Sequence, residues 1–286
     1  MSRQISNTGV AGAGAMGLGI AQVLAQAGFD VILYDLNAQQ LDKAKVSIKQ
    51  NLDGAVAKNK LDKTESAAIL SRITFVSDIS NLKADLIIEA IVERLDAKQE
   101  LFRTLAANNT PQAILASNTS SIPITQIASG IANPGRVAGM HFFNPAHIMK
   151  LVEIISGAET LPEVAETLQQ LVIKTGKTPV LCKDSPGFIV NRVARHYYVE
   201  SLRMLEENVT SVGNIDALME SAGFKMGPFK LMDFVGNDIN FAVTSSLYES
   251  FHQDTKFRPS RLQEQKVQAG HLGKKSGKGF YDYGAQ

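Results

Sequence analysis

The stretch NTGVAGAGAMGLGIAQVLAQAGFDVILYD, Asn7–Asp35, decides the architecture of the first half of the chain. The short stretch ISNTGVA, Ile5–Ala11, stops at Gly12 and reads as a strand. Gly12, Gly14 and Gly17 then fit G-x-G-x-x-G. From Gly14 to about Ala27 the apolar residues recur at helical spacing, and DVILYD (Asp30–Asp35) is a second short apolar run. Strand, glycine turn, helix and strand make a parallel βαβ unit with a dinucleotide fingerprint. Gly12 permits the tight turn, Gly14 lets the backbone approach a pyrophosphate, and Gly17 lets helix and strand pack closely. Ala15 and Met16 open the helix, whose first N–H groups and positive dipole end suit a diphosphate. Asp35 is placed to accept hydrogen bonds from the adenosine ribose and to repel a 2′-phosphate. Leu36 and Asn37 supply no cation to offset that repulsion, so the expected cofactor is NAD (NADH) rather than NADP.

Further strands are predicted at Ile73–Val76, Asp85–Ile91, Ala113–Ser117, Arg136–Phe142, Lys150–Ile155 and Pro179–Cys182, the later ones close enough for antiparallel pairing. The expected fold is α/β: a Rossmann-type, doubly wound, mainly parallel sheet. The connection from Asp35 to Ile73 is longer than a crossover needs. Leu41, Ala44, Ile48, Leu52 and Val56 recur at helical spacing, Asp53-Gly54 interrupts or nearly ends that helix, and Leu61–Ile73 supplies another. This predicts a helical hairpin inserted after the second strand. At KDSPGF (Lys183–Phe188) the strand pattern stops. Helices are expected at Phe188–Glu207, Val212–Gly223, Met232–Phe251 and Ser260–Gly270, hence a smaller all-α C-terminal domain over 184–286 after a dinucleotide domain over 1–183.

The 286 residues carry 29 Lys+Arg against 28 Asp+Glu, so no global field draws nucleic acid or an anionic membrane surface. No apolar run reaches the length of a membrane span. The glycines and glutamines of the first 27 residues argue against a signal peptide. The single Cys182 excludes an intrachain disulfide. The expected compartment is the cytoplasm. There is no C-x-x-C or H-E-x-x-H, and no metal site is expected.

Chemistry is carried by HFFNPAHIMKLVEII, His141–Ile155. A dehydrogenase acting on an alcohol needs a base for the hydroxyl proton. His141 ends a predicted strand, where ligands of open α/β sheets bind. Glu153, twelve residues on, lies on the next strand. A carboxylate beside imidazole would orient the ring and stabilise its protonated form. Spacing alone leaves open a buried structural histidine and a solvated glutamate. His147 sits in the connecting loop with no partner indicated. His196, His252 and His271 indicate none either, and Cys182 suits small core filling.

GAGAMGLGIAQVLAQAG, EAIVERLDAKQELF, SNTSS, GMHFFNP, MKLVEII, KDSPGFIVNR, MGPFKLMDFVG and GKKSGKGFYDY together resemble the short-chain 3-hydroxyacyl-CoA dehydrogenase family, over essentially the whole chain. The resemblance implies that His141 is the catalytic base, with Glu153 its partner. It implies that Ser120 hydrogen-bonds the substrate oxygen and that Asn191 polarises the substrate. Ala90, Glu93, Lys98, Ser120, Asn144 and Lys275 match cofactor-contacting positions. Asn51 and Lys58 of the insert match substrate-contacting ones, where lysines would suit the phosphates of CoA. Locally, Ser120 or Asn191 could equally be capping residues, and Lys98 a solvated helix residue. The implied reaction interconverts a short-chain 3-hydroxyacyl-CoA, 3-hydroxybutyryl-CoA, with acetoacetyl-CoA. A 3-hydroxyadipyl or longer acyl group is the alternative. Relatives of 6-phosphogluconate dehydrogenase use a lysine base after the linker, and GFIVNRVARHYY has none. A non-catalytic relative would lack the base or its carboxylate. The implied partners are an acyl-CoA thioester and a second copy of the chain, paired through residues beyond 184.

Overall fold

The computed structural model describes residues 4–284. The chain divides into two compact units, Met1–Ser185 and Pro186–Gln286. The division falls two residues later than expected. Asp184 belongs to the first unit, because its carboxylate accepts hydrogen bonds from the backbone N–H of Ile124 and Thr125 and from the Thr125 hydroxyl.

The first unit opens with β1 (Asn7–Ala11), α1 (Ala15–Gln26) and β2 (Asp30–Tyr34). The insert follows as α2 (Ala38–Ala57) and α3 (Lys63–Ser71). Leu41, Ala44, Ile48 and Leu52 form the buried stripe of α2. The helix runs through Asp53-Gly54 and ends one turn later; an exposed glycine costs about 1 kcal/mol there, which the buried stripe outweighs. Asp62 and Glu65 form a reciprocal capping box that starts α3.

Then come β3 (Ile73–Val76), β4 (Leu86–Glu89), α4 (Leu95–Asn108), β5 (Ile114–Ser117), α5 (Ile124–Ala128), β6 (Val137–Phe142), β7 (Leu151–Ser156), α6 (Pro162–Lys174) and β8 (Thr178–Lys183). They join one eight-stranded sheet in the order β3-β2-β1-β4-β5-β6-β7-β8. All pairs are parallel except β6–β7. The first six strands have the order of a doubly wound dinucleotide fold, whose switch point lies between β1 and β4. Central strands covered on both faces are largely apolar: β5 and β6 are buried along their whole length, with Ser117 and His141 as their polar residues.

The second unit holds α7 (Val190–Glu206), α8 (Val212–Ser221), α9 (Pro228–Val235), α10 (Asn237–Ser250) and α11 (Arg261–Gln268). The single helix expected over Met232–Phe251 is two. Gly236 breaks it at φ +106°, a backbone conformation closed to most side chains. The apolar period runs on across the break, which hid it. Tyr198, Leu202, Ile215, Phe229 and Met232 form the core of this unit. Its tail is tied down by Asp233, only 1% exposed, which accepts hydrogen bonds from the N–H of Phe280 and Tyr281, the Tyr283 hydroxyl and the Asn237 amide.

Candidate active site

The glycine turn leads from β1 into α1 at the switch point. Gly12 has φ +105°, and a Cβ there would stand 2.6 Å from the Ala90 carbonyl oxygen. A Cβ on Gly17 would collide with the Gly12 oxygen at 1.7 Å. Gly14 is different: its Cβ would meet no protein atom within 4 Å. Gly12 and Gly17 are therefore demanded by the fold, whereas the fold makes no such demand at Gly14, which borders open space. The start of α1 has no side-chain cap and no acidic residue in its first turn. Its first N–H groups, at exposed Ala15 and at Met16, suit an anion. Asp35, just past β2, accepts the Ala13 N–H at 2.8 Å and the Asn37 N–H at 2.9 Å. It thus pins the turn, and a carboxylate has lone pairs left for ribose hydroxyls. These residues fit a dinucleotide.

Past β4 the chain builds a charged cluster that only partly follows the sequence reading. Glu89 ends an otherwise apolar strand and is fully buried. It accepts the Lys98 ammonium at 2.5 Å, the Ser117 hydroxyl at 2.6 Å and the Ile91 N–H at 2.7 Å. Lys98 also pairs with Glu93 at 3.2 Å. Lys98 is not a solvated helix residue, since its side chain is 1% exposed, and its cofactor contact rests on the resemblance. It holds carboxylates on either side of the β4 loop. Glu93 in turn accepts the Thr119 hydroxyl at 2.6 Å and the Ser120 N–H at 3.0 Å. Burial pushes the Glu93 carboxyl up, but the Lys98 charge and the Thr119 and Ser120 hydrogen bonds outweigh it and hold the carboxyl below its ordinary value. Glu93 thereby fixes the loop that carries Ser120. Asn118 ties the same loop to β6 by accepting the Phe142 N–H at 2.8 Å. Glu89 and Thr119 had a weak signal in the sequence: an acid closing an apolar strand, with a lysine nine residues on.

His141 and Glu153 are direct register partners across the antiparallel β6–β7 pair. His141 Nδ1 lies 2.7 Å from Glu153 Oε2, with the residues 6% and 0% exposed. A carboxylate can only accept, so Nδ1 carries the hydrogen of this bond. Phe143 packs against the imidazole, ring centroids 4.4 Å apart. Glu153 is thus a buried partner of the histidine rather than a solvated strand residue. His147 lies in the connecting loop. Burial, and then the charge of Lys177, hold its imidazole below the ordinary value. Burial, with Glu153 adding to it, pushes the Cys182 thiol up to about 12, which removes it as a nucleophile at neutral pH.

The remaining expected residues scatter. Asn144 is exposed in the loop after β6. Asn191 sits in the first turn of α7, in the second unit. Lys275, in the C-terminal tail, is paired at 2.6 Å with Asp238 in the first turn of α10, so a cofactor contact there is carried by the resemblance alone. The Asn51 amide donates to Gln22 at 3.1 Å, joining α2 to α1, and its substrate role likewise rests on the resemblance. Lys58 is exposed at the end of α2. Nearby, Lys49, Leu52, Val56, Lys63 and Leu70 line a groove of about 570 Å³ between α2 and α3. Among the described residues no cluster of His, Cys, Asp or Glu could hold a metal ion. No described helix is long and apolar enough to cross a membrane.

The strand order and the glycine turn at the switch point define a dinucleotide-binding protein of the doubly wound α/β class. The model of the 3-hydroxyacyl-CoA dehydrogenase NAD binding domain matches residues 7–185, and that of the family's C-terminal domain matches residues 187–283. The chain belongs to the 3-hydroxyacyl-CoA dehydrogenase family. It is 50% identical over 288 residues to the 3-hydroxyadipyl-CoA dehydrogenase of Escherichia coli, and covers 61% of that protein's length. It is 43% identical over 277 residues to the probable 3-hydroxybutyryl-CoA dehydrogenase of Deinococcus radiodurans, covering 96% of this chain and 99% of that one. The solved (S)-3-hydroxybutyryl-CoA dehydrogenase of Ralstonia eutropha superposes with a TM-score of 0.95 at 37% identity, over 99% of this chain and 100% of the other.

Proposed function

We propose that this chain is an NAD(H)-dependent dehydrogenase interconverting a short-chain 3-hydroxyacyl-CoA, 3-hydroxybutyryl-CoA, and the 3-ketoacyl-CoA, acetoacetyl-CoA. The observation that carries the reading is the buried His141–Glu153 pair on β6 and β7 of the same sheet that bears the glycine turn. NAD(H), which the Gly12–Gly17 turn and Asp35 would hold, would supply the acceptor or donor of hydride for C3. His141 takes the hydroxyl proton at Nε2 in the oxidation direction and gives it back in reduction. Glu153 offsets the charge formed on the ring. Ser120, on a loop fixed by Glu93, donates to the substrate oxygen, and Asn191 is assigned the same oxygen by resemblance. Prepositioned donors of this kind supply electrostatic stabilisation without reorganisation. Asp35 favours NADH over NADPH. The name of the E. coli relative supports a second reading of the acyl group, 3-hydroxyadipyl.

We further infer a cytoplasmic homodimer through the second unit, where Leu218, Phe224, Phe234 and Ile239 expose half or more of their surface. The deciding experiment is NADH consumption with acetoacetyl-CoA. Turnover should be lost in His141→Ala and largely kept in His147→Ala. No turnover by the parent with NADH or NADPH sinks the reading.

A further inference from the structure

Arg195 lies on α7 and is 3% exposed. Only one of its nitrogens is used: Nη1 donates to the Asn240 carbonyl and the Thr244 hydroxyl, both at 2.9 Å. Among the described residues no carboxylate pairs with it, and its buried Nε has no hydrogen-bond partner. One face of the guanidinium lies 5.0 Å from the Tyr198 ring centre. Burial lowers its pKa to about 10, so it remains a cation at neutral pH. A desolvated cation without a counter-ion is costly and is seldom kept for stability. The orphaned Nε lies on the Nε–Nη2 edge, the planar fork that meets a carboxylate with two parallel hydrogen bonds.

Arg195 stands one helical turn after Asn191, so the two occupy the same face of α7. Long side chains on a helix lean toward its N-terminus, here toward Asn191. If Asn191 meets the oxygen on C3, as in the activity proposed above and on which this inference rests, the acyl chain beyond C3 has a turn of about 5.4 Å to cover. Three extended bonds span about 3.8 Å, and the arginine supplies the remainder. A four-carbon acyl group ends one bond past C3 and falls short.

We propose that Arg195 reads the far end of the acyl chain, and that the preferred substrates are thioesters of 3-hydroxy dicarboxylic acids whose terminal carboxylate lies about three bonds beyond C3. The carboxylate completes the fork that the protein leaves open. A methyl group in its place buries an unpaired cation, which is the kind of mismatch that discriminates strongly.

The test compares kcat/KM for 3-hydroxyadipyl-CoA and for 3-hydroxyhexanoyl-CoA, which differ only in the terminal group. The parent should favour the dicarboxylate by about 100-fold or more. Arg195→Met should bring that ratio to about one, and Arg195→Lys should leave an intermediate ratio, since it keeps charge but not the fork. Because the ratio is taken within each variant, partial unfolding cancels. A parent with no preference, or a ratio unchanged in Arg195→Met, overturns the proposal. Should Arg195→Met not fold, the parent comparison and Arg195→Lys still decide it. 3-Hydroxybutyryl-CoA is the control: its turnover without carboxylate preference refutes this inference alone, whereas no turnover of any of the three refutes the activity as well.

Discussion

Glu153→Gln isolates the charge of the buried pair from its geometry. Glutamine has the same shape, and its amide oxygen can still accept the Nδ1–H of His141. What disappears is the negative charge opposite the imidazolium that forms when His141 takes the substrate proton. The N···O separation is 2.7 Å. Taking about 4 Å between charge centres and an effective dielectric of about 20 for a site in protein, the lost attraction is about 4 kcal/mol. At about 1.36 kcal/mol per decade, that corresponds to about a 1,000-fold fall in kcat. The assay is steady-state oxidation of NADH with acetoacetyl-CoA, with NADH affinity measured separately by fluorescence titration. Affinity should hold, because neither residue belongs to the glycine turn. A Glu153→Gln enzyme that folds and keeps kcat within about tenfold of the parent would show that the pair is structural, and the acid–base assignment would fall.

The two crowded glycines and the open one separate by experiment. Gly14→Ala should leave the melting temperature unchanged while weakening NADH binding by about tenfold or more, whereas Gly17→Ala should lower both; equal behaviour would refute the distinction. Asp233→Asn replaces an acceptor of four hydrogen bonds with a group that carries two donors, and should cost about 3 kcal/mol in urea unfolding. A change below about 1 kcal/mol would mean the tail is held by packing instead. Glu93 has a depressed carboxyl, so its contribution to stability is present above the ordinary glutamate value of about 4.3 and is lost as pH falls through its lower folded value. Glu93→Gln should therefore flatten the acid end of a melting-temperature profile, and parallel profiles would refute this.

Much of the fold is legible in the chain because its signals are local. The eight strands are short apolar runs closed by turn residues. The insert is betrayed by a connection too long for its job, and the glycine spacing carries its own packing logic. The errors arose where a local pattern was continuous but the backbone was not. The apolar period through Met232–Phe251 conceals the turn at Gly236, and the linker motif gives no hint that Asp184 is bonded back to α5. In the site, motifs suffice to propose His141, Glu153 and Ser120, since the spacing of two adjoining strands is a property of sequence.

The sequence could not decide which charges would be buried together. Lys98 follows Asp96 on an amphipathic helix and looks solvated, yet it lies between Glu89 and Glu93, and through Glu93 it steadies the Ser120 loop. Arg195 looks like any helix arginine, yet it is buried against α10 with its Nε unpartnered. By itself the sequence determined the strand pattern and the dinucleotide turn, and left the histidine–carboxylate pairing open until the β6–β7 register brought the two side chains together. Tertiary structure alone decided the Lys98 cluster, the Asp233 anchor and the unpaired Arg195. The physical reason is that hydrophobic periodicity sets elements over a few residues, whereas desolvation, which fixes the role of a charge, depends on groups brought together from far along the chain.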